Sequence, residues 1–92
     1  MQPGDNTLPD LKAKLKNCGA GVVWLGYRNE SRILQIIYRG TIVAEAGVVF
    51  RGYSGYKLHV ITWEPHSHYK EYYLTCVEDA DKRIREVIKM YK

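Results

Sequence analysis

Ninety-two residues suit one domain with one core, because a chain of this size buries roughly two-thirds of its unfolded surface. Fourteen Lys and Arg against ten Asp and Glu give a formal charge of +4, spread as +1 over residues 1–19, +2 over 20–75 and +1 over 76–92; there is no basic tail or block of the kind many nucleic-acid binders carry. The longest apolar run, Ile33 to Tyr38 interrupted by Gln35, is far short of the roughly 20 residues of a membrane span, and MQPGDNTLPD lacks the basic and apolar regions of an export signal, so the chain is expected to be soluble and cytoplasmic.

Residues 1–6 combine Pro, Gly, Asp and Asn without periodicity and are expected to form a flexible end, leaving 7–92 as a single α+β domain. Thr7 can cap a first helix with Asp10 at its third position. Leu8, Leu11, Leu15 and Cys18 then recur at helical spacing, and Gly19 supplies a left-handed stop. From Gly21 the period changes to two. Val22 to Arg28 reads as a strand, Asn29-Glu30-Ser31 as its turn, and Arg32 to Tyr38 as the next strand, closed by a tight Arg39-Gly40 hairpin. Thr41 to Phe50 follows, with Gly47 marking a bulge or bend. After the turn Gly52-Tyr53-Ser54-Gly55, the strand Tyr56 to Trp63 sends Leu58, Val60 and Thr62 one way and Lys57, His59, Ile61 and Trp63 the other. Pro65 places Glu64 to His68 in a loop, and Tyr69 to Leu74 is the last strand.

The final segment carries a T-x-x-E capping box, Thr75 with Glu78, which starts a helix near Cys76. Ala80, Ile84, Val87, Ile88 and Tyr91 make one apolar stripe, with acids in the first turns and Lys89 and Lys92 in the last. The order helix, five strands, helix with short loops predicts an antiparallel β-meander with an N-terminal and a C-terminal helix, one or both covering one face. The other face must then meet water or a partner.

Three constellations bear on chemistry. His66-x-His68, with His59 and Cys76, is short of the four convergent ligands of a structural zinc site, so no metal or other cofactor is expected. The same histidines with an arginine are the raw material of a nuclease, but a solvated loop explains them as well, and no phosphate-cradling glycine motif is present. Cys18 and Cys76 lack C-x-x-C spacing and read as reduced thiols.

The third constellation is the most informative. Eight tyrosines stand against one phenylalanine, and several alternate with cations: Tyr27-Arg28, Tyr38-Arg39, Arg51 with Tyr53, Tyr56-Lys57, and Tyr69-Lys70 with Tyr72 and Tyr73. Bases stack on tyrosine and cations follow phosphates, so a sheet face of this kind can hold single-stranded DNA or RNA. Cross-strand aromatics with flanking cations also stabilise ordinary wet sheets. The expected site is Tyr38, Arg39, Arg51, Tyr53, Tyr56, Lys57, Tyr69, Lys70 and Tyr72, although Tyr56 and Lys57, being adjacent, point to opposite faces of a regular strand.

In element order, Tyr56 to Val87 is similar to the strand, strand, helix core of the arm-site DNA-binding domains of phage integrases. KLHVITWEPHSHYK resembles the β-hairpin of single-strand-binding transcription coactivators. Both resemblances imply a non-enzymatic nucleic-acid-binding accessory protein. The alternative is a protein-interaction module, such as a phage or mobile-element inhibitor or an adaptor. It would use the same aromatics or an edge strand against a protein partner or, as a homodimer, its own copy.

Overall fold

The computed structural model describes residues 7–28 and 31–92, with the side chains of 25–28, 31 and 32 left outside the description. The expected flexible end at 1–6, the Asn29-Glu30-Ser31 turn and the Tyr27-Arg28 pair therefore fall wholly or partly outside it. The order is α1 (Thr7–Lys14), β1 (Gly21–Arg28), β2 (Ser31–Tyr38), β3 (Thr41–Phe50), β4 (Tyr56–Trp63), β5 (Tyr69–Leu74) and α2 (Val77–Tyr91). The strands form one antiparallel sheet in sequence order, a five-strand meander, and the expected α+β architecture is the one observed. Among the described residues, no helix is long and apolar enough to cross a membrane.

Short turns dictate this topology. Between β2 and β3, Arg39 and Gly40 both take positive φ, 50° and 80°, with Tyr38 paired to Thr41 across them. That is the twist a two-residue hairpin needs, and glycine supplies half of it without steric penalty. Helix α1 ends earlier than its apolar spacing suggests, at Lys14. Asn17 already turns left-handed, with φ of 66°, and Gly19 follows with the expected left-handed φ of 93°. Leu15 and Cys18 are nevertheless buried, because the chain continues in turns bonded from Leu15 N to Leu11 O (2.9 Å) and from Cys18 N to Leu15 O (3.1 Å).

Both helices lie on one face. Helix α1 packs over β2 and β3, α2 over β3, β4 and β5, and the helices touch each other. The α2 stripe of Ala80, Ile84, Val87 and Ile88 is buried, as its spacing requires, in one core with Leu34, Ile36, Ala44, Ala46, Leu58 and Val60. Arg85 ties the layer together: it bonds Asp81 at 3.0 Å and donates to the carbonyl of Lys14 at 2.8 Å, satisfying a free C=O at the end of α1. At the far end, Tyr91 donates its hydroxyl to the carbonyl of Trp63.

Two local expectations need correction. The capping box does not form: Cys76 is the N-cap, with extended φ and ψ of −132° and 149° and no side-chain cap hydrogen bond. Thr75, one residue too early, cannot aim its hydroxyl at the first-turn amides. The irregularity expected at Gly47 also lies elsewhere, since Gly47 pairs in register with His59. The bulge is at Val43, where the pairing passes from Ile36–Ala44 to Ile37–Ile42. The extra residue re-aims Val43 into the core beside Ala44, and both are fully buried.

Ile84, completely buried beneath α2, is the anchor of the helix layer; Ile84→Ala should lower stability by about 2 to 5 kcal/mol in urea unfolding, and a loss below about 0.5 kcal/mol would place the stripe elsewhere. Thr62 is also fully buried, and its hydroxyl has no hydrogen-bond partner. Thr62→Val keeps the shape and removes an unsatisfied polar group, so it should stabilise the fold by about 1 to 2 kcal/mol.

Candidate nucleic-acid interface

Strand alternation divides the aromatic and basic residues between two faces, and the hairpins divide them between two ends. β3 runs about 30 Å from the Arg39-Gly40 turn to Phe50. The nine residues expected to form one site are split along that length.

At the far end, Tyr38 is 8% exposed and belongs to the core, with its ring 6.4 Å from that of Tyr91 and the Arg39 guanidinium 5.2 Å from its centroid. Tyr69 is exposed on the open face opposite Trp63. Lys70 bonds Glu64 at 3.1 Å, and that hydrogen bond holds its amine above the usual lysine range. Tyr72 faces the helices with Arg83 lying 4.3 Å over its ring. Tyr38, Arg39, Tyr69, Lys70 and Tyr72 are thus not gathered into a single surface.

The other four lie at the near end, along the β3–β4 connection and the start of β4, with Tyr56 on the helix side of the sheet and Lys57 on the open side. Arg51 opens the β3–β4 connection, a tight turn closed by Arg51 N to Gly55 O (2.7 Å) and Gly55 N to Gly52 O (2.9 Å). This turn holds Tyr53 entirely in solvent, at 111% relative exposure. Tyr56 sits opposite Phe50 in the register, their rings meeting edge to face at 5.2 Å and 65°, with exposures of 48% and 64%. Tyr56 and Lys57 do point to opposite faces, as alternation demands. At the end of the sheet, however, Tyr56 remains exposed on the helix side, so both margins of the strand are open.

On the open side, His59 and Tyr73 are cross-strand partners, stacked at 4.7 Å and 8°. The Arg51 guanidinium lies 4.2 Å over the Tyr73 ring, and His59 meets Glu71 at 3.3 Å. Phe50 and Tyr73 are the residues the structure adds to the expected site. Their signal lay in the pairing: Phe50 is across from Tyr56, and Tyr73 shares a face with Lys57 and His59, which only the register reveals.

The result is four exposed aromatic rings, those of Phe50, Tyr53, Tyr56 and Tyr73, with two cations, Arg51 and Lys57, around one hairpin. The neighbouring carboxylate, Glu71, is engaged by His59. Such a surface offers stacking faces and positive charge. His66 and His68 lie exposed in the β4–β5 loop, where His66 takes φ of 60°. Among the described residues, no three His, Cys, Asp or Glu side chains converge as metal ligands. Cys18 and Cys76 are unpaired. No family model, curated protein or solved structure matches the chain.

Proposed function

We propose that the protein is a small non-enzymatic accessory protein that binds single-stranded DNA or RNA across the β3–β4 end of its sheet. The observation carrying this reading is the exposed group of Phe50, Tyr53, Tyr56 and Tyr73 with Arg51 and Lys57. Stacking is worth roughly 1 to 3 kcal/mol per base and tolerates any sequence, while cations beside the rings follow the backbone. Helix α2 begins at this same end with Glu78 and Asp79 in its first turn. Phosphates are repelled there, so the strand runs along the hairpin and the margin of the open face that Arg51, Lys57 and Tyr73 form. The unpaired thiols fit a reducing compartment such as the cytoplasm. A second reading, a protein-interaction module of the inhibitor or adaptor type, is favoured by the uncovered face of the sheet, whose described side chains are all at least partly exposed.

Anisotropy of a labelled oligothymidylate of about 12 nucleotides, titrated at about 50 and about 200 mM salt, tests the first reading. Binding should be micromolar or tighter and weaken with salt. Tyr53→Ala should weaken it about 5- to 100-fold, as expected for one lost stacking platform. Arg51→Ala should reduce the salt slope by about one phosphate contact. No binding at micromolar protein in low salt, or binding indifferent to both salt and Arg51, would overturn the proposal in favour of the protein-interaction reading.

A further inference from the structure

We infer that the open face of the sheet is an interface between two copies of the chain, packed face to face. The inference deepens the second reading above and does not depend on the aromatic hairpin binding nucleic acid.

The first argument is the pattern of the central strands. In β2, Ile33, Leu34, Ile36, Ile37 and Tyr38 are apolar on both faces, and β3 does the same through Ile42, Val43, Val48 and Val49. Continuous apolar runs of this kind mark strands covered on both sides; a sheet with one wet face alternates apolar with polar residues. The helices cover the Leu34 and Ile36 side. On the other side, Val23, Ile42, Tyr69 and Tyr73 are exposed.

The second argument is size. Five strands about 4.8 Å apart and eight residues long present about 600 Å² of projected face. A corrugated surface of that extent is close to the roughly 800 Å² a side of a standard stable interface.

The third is charge. Among the described residues the face carries Glu45, Lys57 and Glu71, with Arg51 at its margin, so beyond that margin it suits neither a polyanion nor a strongly basic partner. Two of its other polar groups are engaged within the face, Gln35 donating to Glu45 at 2.8 Å and His59 meeting Glu71 at 3.3 Å. Gly47, His59 and Tyr73 form one cross-strand row, Val49 and Lys57 pair two residues to one side of it, and Glu45, Ile61 and Glu71 align two residues to the other. A two-fold axis across the strands at the His59 row therefore sets Lys57 of each copy against the Glu45 and Glu71 row of the other. That makes the face complementary to itself, as an isologous interface must be. Lys57 and Tyr73 belong to both this face and the aromatic cluster, so the two occupants share a margin.

Sedimentation velocity of the full chain between about 5 and about 100 µM tests the proposal through mass action. The expected result is a species of twice the 10.7 kDa chain mass that gives way to the single chain on dilution. Ile61→Lys and Ile42→Lys, both on the open face and away from the helix-covered core, should each raise the dissociation constant at least tenfold while leaving the circular dichroism and cooperative unfolding of the wild type. Using both keeps the test decisive if one fails to fold. A wild type that stays at single-chain mass throughout, or a dimer that survives both folded variants unchanged, would overturn the inference. A single-chain wild type that still binds oligonucleotide would sink the dimer alone and leave the aromatic hairpin reading in place.

Discussion

Everything in this fold depends on the burial of one helical stripe on one side of a sheet. Ala80, Ile84, Val87 and Ile88 can leave water only by lying on Leu58, Val60 and their neighbours, and once α2 is there, its companion α1 docks beside it on the same side. The Arg85 bridge to the end of α1 makes this a single layer. A sheet has two faces, however, and five strands give two helices more area than they can cover. The exposed chemistry follows from that mismatch: an open face on one side, and a sheet end where Tyr56 stays exposed on the other.

The sequence carried most of the architecture because its punctuation is strong. β3, β4 and β5 begin and end where Gly40, Gly52-Gly55 and the Pro65 loop imply, and the α2 stripe is buried where its spacing puts it. What escaped is what depends on partners distant in sequence. The bulge at Val43 arises because two strands of unequal local length must share a ladder, and nothing in TIVAEAGVVF distinguishes Val43 from Val48 as the extra residue. The N-cap at Cys76 instead of Thr75 is a shift of one residue, decided by how the chain leaves β5 and reaches the sheet. Helix α1 loses its last turn to the left-handed Asn17, although its apolar residues still reach the core.

The candidate site was legible as composition and illegible as geometry. Tyr38 and Tyr72 alternate with cations just as Tyr53 and Tyr56 do, yet the first lies in the core and the second beneath Arg83. Local sequence cannot separate these cases, since the face that receives the helices is chosen by the whole sheet. Strand alternation correctly opposed Tyr56 to Lys57. It did not reveal that opposition loses its force at the end of a sheet, where both sides of a strand are open. Tyr73 becomes important only through the register that stacks it on His59 and brings Arg51 over its ring.

The central functional claim is that the hairpin joining β3 and β4 is the binding surface, and amide chemical-shift mapping with an unlabelled oligothymidylate tests it residue by residue. The account predicts that the largest shifts fall on Phe50 to Lys57 and on Tyr73, with α1, α2 and the Arg39-Gly40 turn little affected. Shifts centred on the lysines of α1 or on Tyr69 and Lys70, or none across the hairpin at saturating oligonucleotide, would contradict it.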